Sequence, residues 1–426
     1  MKPNFVFILA DDLGYADLGC YGGRSNCSPV LDRMASEGVR FTDGYANSSV
    51  CSPTRFALAT GRWQHRLRGA ADEPLSSRAR GHDQLGLPPS HPTLASLLRD
   101  GGGYATALIG KWHLGFPPHF GPLKSGYQEF FGPMSGGVDY FSHRDSAGTH
   151  DLYEDEAEVR REGYLTDLIT DRAVQYVKRQ RSPFLLSVHY TAPHWPWERR
   201  EDEAESRRLE KLYHFDGGSV AIYTEMIRQM DEGIGKVLAA LPENTLVVFT
   251  SDNGGERFSD SWPLTGKKMD LLEGGIRVPY IVRWPQRVPA GKTTSQLAIT
   301  MDWMATFLDA AGASPHPEYP LDGLSLLKCL EKPESIVDRP LFWRMKFRDQ
   351  KAVRKESWKW LSIEGNEYLF DLSKDQRERA NLARRFPEKF SELRNRYRDW
   401  EASMPPIPED ARVSFIGGPA DMAQPS

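Results

Sequence analysis

The residues of this sequence best placed to do chemistry are Cys51 and Arg55, within Val50-Cys51-Ser52-Pro53-Thr54-Arg55-Phe56-Ala57-Leu58-Ala59-Thr60-Gly61-Arg62. The run predicts a loop that feeds a short helix. Ser48, Ser49 and Ser52 offer N-cap oxygens, Pro53 suits a first helical position, and Gly61 suits a C-terminal stop. A cysteine at the mouth of a helix meets unpaired backbone N–H groups and the positive end of the dipole. Both favour an anion on or beside its side chain. Arg55, one turn on, shares that helix face and adds a fixed positive charge. Taken alone, a free cysteine is more often inert core filling, and an arginine a surface charge.

Other groups with chemical potential fall at the ends of apolar runs. Residues 4–10 are continuously apolar, as in a strand buried on both faces of a parallel sheet, and they end in Asp11-Asp12. Ligands of open α/β sheets gather at the carboxyl ends of strands. Two adjacent carboxylates there repel unless a hard cation sits between them, although the same residues also suit a plain turn. A second such run, 245–250, ends in Ser251-Asp252-Asn253-Gly254-Gly255. Two matching ends make Asp11, Asp12, Asp252 and Asn253 a candidate hard-ion site, and their chemistry permits Ca2+ or Mg2+. Zinc spacings such as Cys-x-x-Cys or His-Glu-x-x-His do not occur.

A third strand, 104–109, delivers Gly110-Lys111-Trp112-His113-Leu114-Gly115. Alternation points Lys111 and His113 the same way, a cation and an imidazole suited to an oxyanion and a proton transfer. The bland alternative is a satisfied core histidine with a lysine snorkelling outward. A fourth strand, 184–190, delivers Pro193-His194-Trp195-Pro196-Trp197. Its tryptophans could stack on a sugar or an aryl ring, and they could equally pack the loop. Between these strands, 117–162 is a long irregular stretch of the kind that lines substrate pockets, with Tyr140 and His143 as candidates.

The elements that must position these groups read as α/β. Amphipathic helices are predicted at 28–37, 92–98, 166–179, 217–241 and 301–311, with a further strand at 280–284. The mixed-charge run 198–211 reads as a solvated helix or insertion. Near residue 339 the pattern changes to short amphipathic strands at 341–345, 352–363 and 368–372, then a helix at 386–404. Hence a large sheet domain, 1–335, and a smaller C-terminal α+β unit, 336–426, with a tail in its last twenty residues. A chain of 426 residues suits one large and one small domain.

With 54 Lys and Arg against 58 Asp and Glu, the formal charge of -4 leaves no basic surplus for nucleic acid or an anionic membrane. No apolar run reaches membrane-spanning length. The four cysteines form no dense framework, though Cys20 and Cys27 could close a small loop. The apolar start is too short for a signal peptide and runs into Asp11-Asp12. As written the chain is expected in the cytoplasm, or in the periplasm or medium if an export sequence was removed.

Cys51-Ser52-Pro53-Thr54-Arg55 with Leu58 and Thr60-Gly61-Arg62 resembles the signature of the type I, formylglycine-dependent sulfatases of the alkaline phosphatase superfamily. Gly110-Lys111-Trp112-His113-Leu114-Gly115, the His194-aromatic-Pro context and Lys267-Lys268 before Glu273-Gly274-Gly275 are similar to further family blocks. The pocket segments look closest to arylsulfatases and N-acetylgalactosamine sulfatases. The resemblance implies an alkaline phosphatase-like fold, a mixed and mostly parallel sheet sandwiched by helices. It implies a sulfuric ester hydrolase acting on aryl or sugar sulfates, and maturation by a formylglycine-generating enzyme that oxidises Cys51 to an aldehyde. Ca2+ is implied over Mg2+, with modified Cys51 joining Asp11, Asp12, Asp252 and Asn253 as a ligand.

By the same resemblance, one hydroxyl of the hydrated aldehyde attacks sulfur while Arg55, Lys111 and Lys268 hold the sulfate oxygens. His194 with Lys268 protonates the departing alcohol, and His113 deprotonates the second hydroxyl to expel sulfate. Lys268, five residues before Glu273, is selected over Lys267, and Ser135 joins the substrate pocket, where Trp195 is a candidate through its ring alone. Two alternatives remain on the residues alone. One is a phosphoester or phosphonate hydrolase on the same fold, and the other a sulfated-glycan binder whose Cys51 stays unmodified.

Overall fold

The computed structural model describes residues 2–209 and 217–414. Its organising strand is Asn4–Ala10, with Thr245–Ser251 parallel on one side and Phe184–His189 parallel on the other. Strand geometry turns successive side chains to opposite faces. Phe5, Phe7 and Leu9 therefore enter one core with Phe56, Trp303 and Phe307, while Val6, Ile8 and Ala10 enter another with Ile169, Met226 and Ile234. Helices cover both faces, which is why the run carries no polar alternation.

From edge to edge the ten-stranded sheet runs Lys292–Thr294, Val39–Phe41, Tyr280–Arg283, Thr245–Ser251, Asn4–Ala10, Phe184–His189, Ala105–Gly110, Glu129–Gly132, Tyr153–Glu154 and Ala157–Glu158. Tyr280–Arg283 is antiparallel to both its neighbours, so the sheet is mixed although its centre is parallel. The four central strands pair in register at Ala10 with Ser251, Leu9 with His189, and Gly110 with His189. Their carboxyl ends thus open on one edge, and the residues just beyond them meet there. Gly110 belongs to this closeness: its φ is +116°, and a Cβ on it would lie 1.9 Å from the carbonyl oxygen of His189.

Several expected elements are redrawn. The stretch 352–363 is two strands, Gln350–Lys355 and Trp358–Ile363, turned back at Glu356 with φ +53°. The helix expected at 92–98 is Leu94–Gly102, and Thr93 with Ser96 forms its capping box. Glu198, expected in a solvated run, is wholly buried, whereas the helix Glu203–Arg208 further along is mostly exposed. The remainder of that run, 210–211, and the end of the tail, 415–426, lie outside the described residues. Cys20 and Cys27 are both free thiols. Among the described residues no helix is long and apolar enough to cross a membrane.

The C-terminal sheet, Pro340–Met345, Gln350–Lys355, Trp358–Ile363 and Asn366–Asp371, is antiparallel and is covered by the helix Pro387–Ala402. Its core is continuous with Tyr45, Val50, Ala57 and Trp63, so it packs behind the Cys51 helix. Buried Lys359 pairs with Glu273 at 3.0 Å and Glu378 at 2.8 Å. The Gln350 side chain donates to the Met269 carbonyl and accepts from the Leu271 amide, both at 2.8 Å. The small sheet thereby clamps the segment that follows Lys268. Removing a buried cation leaves its carboxylates uncompensated, so Lys359→Ala should cost about 3–5 kcal/mol of unfolding free energy. Denaturant titration of variant and parent checks this.

Candidate active site

Cys51 opens the helix Cys51–Thr60 and is 1 % exposed. Val50 is the N-cap and no side chain caps the helix, contrary to the expected serine cap. The hydroxyls nearby are engaged elsewhere: Ser52 accepts from the Leu75 amide at 2.8 Å, and Thr54 bridges the Ser48 amide and carbonyl at 3.0 and 3.1 Å. Gly61 ends the helix at φ +63°, as its position suggests. The expected electropositive setting is only half present. Burial pushes the Cys51 thiol up to about 11, and Asp11 and Asp252 add to this against Lys111 and Lys268.

The carboxylates assemble as the strand ends dictate. Ligand atoms of Asp11, Cys51 and Asp252 lie within 4.8 Å of one another, as do those of Asp11, Asp12 and His194. Asn253 donates to Asp12 Oδ1 at 2.7 Å, and the Asp12 amide donates to Asp252 at 3.3 Å. Burial and the charge of Asp252 hold the Asp11 carboxyl well above the usual carboxylate range. Asp11 Oδ1 and Asn253 Oδ1 are buried without a hydrogen-bond partner. An all-oxygen set with orphaned acceptors and crowded negative charge fits a hard divalent cation.

Cations are interleaved with these acids. Arg55 is wholly enclosed, with Nε and Nη2 on Asp252 Oδ2 at 2.9 and 2.8 Å and Nη1 on the Lys111 carbonyl at 3.0 Å. Its Nε and Nη1 are engaged by Asp252 and the backbone, while buried Nη2 has ion-pair contacts to Asp252 and Asp11 but no hydrogen-bond partner. Buried Lys111 contacts Asp11 Oδ2. Lys268 reaches Asp12 at 2.7 Å, so of the two neighbouring lysines it is Lys268 that joins the cluster. Burial raises the Asp12 carboxyl, but Lys268 and His194 outweigh it and bring it down to about 2.

The histidines are neutral, since burial drives His113 and His194 well below the usual imidazole range. His113 Nε2 donates to the Leu75 carbonyl at 2.7 Å, which leaves buried Nδ1 without a partner and free to accept a proton. His194 Nδ1 donates to the Trp195 carbonyl at 2.6 Å, with Nε2 3.6 Å from Asp12. Asp12, His113 and Met269 adopt left-handed backbone at φ +64°, +60° and +77°. Such residues persist only where the surroundings over-determine them, as at functional sites.

The pocket candidates fare differently. Ser135 is held by Asp151 through both its amide and its hydroxyl. Tyr140 is completely buried and its hydroxyl donates to the His194 carbonyl at 2.9 Å, so it props the His194 loop rather than lining a pocket. His143 is also buried. Trp195 alone of the four stays half-exposed, its ring 4.3 Å from that of His194.

Supporting acids escaped the sequence. Asp17 accepts from the Gly14 and Asp260 amides and the Ser259 and Tyr223 hydroxyls, each at 2.7 Å, and ties the loop after Asp12 to the loop after Asn253. His189 faces Arg55 and the Lys111 carbonyl. Glu198 accepts from the Tyr140 amide at 3.3 Å. Only a burial signal could have marked these residues, and one sequence carries none for an isolated acid.

Residues 3–313 match the family model described as Sulfatase. The chain belongs to the sulfatase family. Residues 264–399 of this sulfatase also match the model of an N-sulphoglucosamine sulphohydrolase C-terminal region. Dog (Canis lupus familiaris) N-acetylgalactosamine-6-sulfatase is 34% identical over 370 residues, which cover 80% of this chain and 68% of the relative. Human (Homo sapiens) arylsulfatase A is 30% identical, over 89% of this chain and 83% of that one. The crystal structure of Ps i-CgsB in complex with k-i-k-neocarrahexaose superposes with a TM-score of 0.83 at 30% identity, covering 95% and 94% of the two chains. The sulfatase is thus a hydrolase of sulfate esters on an alkaline phosphatase-like fold.

Glu198 gives the site a measurable proton. Burial lifts its carboxyl to about 10, and the charge of Asp139 adds to that. The folded state therefore keeps a proton that the unfolded chain releases near its ordinary value of 4.5. The stability this contributes is complete below that value and is lost as pH rises toward 10. Between pH 5 and 9 the parent should lose up to about 1.4 kcal/mol per pH unit relative to Glu198→Gln. Thermal unfolding of both proteins across that range measures the difference.

Proposed function

We propose that this sulfatase cleaves saccharide or aryl sulfate monoesters with a nucleophile made from Cys51, beside one Ca2+ held by Asp11, Asp12, Asp252, Asn253 and the modified Cys51. The observation that carries this is the setting of Cys51: its Sγ shares a 4.8 Å cluster with Asp11 and Asp252 at the head of a helix. Burial beside two carboxylates disfavours the thiolate, which makes the unmodified side chain a poor nucleophile. Oxidation to formylglycine by a generating enzyme during maturation would replace it with an aldehyde whose hydrate supplies a hydroxyl. The cation, when bound, supplies positive charge to that oxygen and to the sulfate.

The remaining work falls to the chain's own groups. Arg55 fixes the Asp252 carboxylate through Nε, and its unbonded Nη2 is the donor it can offer a sulfate oxygen. Lys111 and Lys268 stand among the acids as the cations that meet the sulfate oxygens while charge moves to the leaving group. Asp12 and Glu256 keep Lys268 protonated against its burial, so Lys268 is the proton source for the departing alcohol, with His194 beside the same Asp12 oxygen to pass it on. His113 has the free Nδ1 lone pair that can take the second hydroxyl's proton. A saccharide substrate is supported by the carrahexaose-bound neighbour and by the half-open ring of Trp195.

Protein expressed with a formylglycine-generating enzyme should show a thiol-to-aldehyde mass loss in the tryptic peptide 41–55 and should turn over an aryl sulfate faster than the matched phosphate. Cys51→Ala should abolish that turnover, and an unmodified Cys51 in active protein would refute the scheme. Lys268→Ala should lower kcat by about a hundredfold or more, as removal of an oxyanion-stabilising group does. Lys267→Ala should leave it largely intact, and steady-state kinetics on the two variants separates the neighbours.

A further inference from the structure

Behind the Cys51 helix lies a second cavity, of about 280 Å³. It is walled by Pro53, by the turns around Arg66 and Arg68, by Arg344 on the first strand of the small sheet, and by the strap 405–408. Pro53 follows Cys51 by two residues, which places it on the far side of the helix. The cavity is therefore not part of the carboxylate cluster.

Three arginines face this space, and two are neutralised. Arg66 holds Asp322 with two bonds, at 2.8 and 2.9 Å, and Arg68 holds Asp410 at 2.6 Å. Arg344 is 7 % exposed and has no carboxylate partner among the described residues. Its guanidinium spends one N–H on the Pro405 carbonyl at 2.8 Å, and its Nε is buried with no partner at all. Of the two nearby acids, Glu401 accepts from the Tyr397 hydroxyl at 3.1 Å, and Glu73 turns to the Lys346 and Phe347 amides at 2.8 and 2.9 Å. Burial lifts the Glu73 carboxyl to about 7, so it is a weak counter-charge at neutral pH. Burying an unpaired guanidinium is costly unless a counter-ion can reach it. The open volume beside Arg344 gives one room.

We infer that this cavity binds a small oxyanion of sulfate size, with Arg344 as its counter-charge. Nothing in the catalytic scheme uses it, and it stands independently of how Cys51 is modified. The volume exceeds that of one sulfate, and Leu67, Ala70 and Ile407 add apolar wall. The shared chemistry is the sulfate group, whether as the free ion the reaction releases or as a substituent on a single sugar.

Crystals of the full chain soaked in selenate would test this through anomalous scattering. The expected result is a selenium peak within hydrogen-bond distance of Arg344, beside any peak at the catalytic cluster. Arg344→Gln should remove the first peak only and weaken second-site selenate binding in solution by about tenfold or more. Its turnover of an aryl sulfate should match the parent's. A parallel soak of Cys51→Ala crystals with galactose 6-sulfate separates the sources: density for the sugar identifies a sugar sulfate, and selenate alone identifies the free ion. A parent crystal with the catalytic cluster filled and no anion at Arg344 in either soak overturns the proposal, and needs no variant to fold.

Discussion

Asp11 and Asp252 leave the ends of neighbouring strands within 4.8 Å of each other and fully buried, and much of the molecule answers that one repulsion. Arg55 is enclosed to neutralise Asp252, Lys111 to neutralise Asp11, and Lys268 to neutralise Asp12. Removing either partner of such a buried pair would leave the other charge uncompensated. The orphaned oxygens of Asp11 and Asn253 show that this internal balance is incomplete. The same incompleteness suits the cluster to a hard cation.

The parallel centre of the sheet delivers Asp11 and Asp12, Asp252 and Asn253, Lys111 and His194 as neighbours, because strands in register end together. Lys268 instead comes from a loop with no strand of its own to hold it. Its support is the small C-terminal sheet, through Gln350 on Met269 and Lys359 on Glu273. The C-terminal unit thus supports the cluster by geometry, although none of its described side chains enters it. Asp17 performs the equivalent service on the other flank by tying the loops after Asp12 and Asn253 together.

What could be read from the sequence was what announces itself locally. Apolar runs such as 4–10 and 245–250 predict strands buried on both faces, and a pair of carboxylates or amides at each end marks the site they share. Lys111 with His113 and the Cys51 run were legible in the same way. Less legible was anything decided by distant partners. The serines around Cys51 look like caps, but Ser52 Oγ accepts from the Leu75 amide and Ser49 Oγ donates to Met345 Sδ, and Val50 opens the helix. Tyr140 and His143 sit in a stretch that looks like pocket lining and are buried supports. Glu198 begins a charged run, yet its partner Tyr140 lies 58 residues earlier and draws it inside.

Cys51 is closed off in the folded protein, 1 % exposed at the head of a helix that packs against both the large sheet and the small one. A modifying enzyme would need that side chain in an extended, accessible segment. The proposed oxidation would therefore compete with folding. A molecule that folded first would keep a buried thiol while its native state lasted. The specific activity of a preparation would then record the ratio of two rates during synthesis, and two batches identical in sequence, purity and stability could differ in it severalfold.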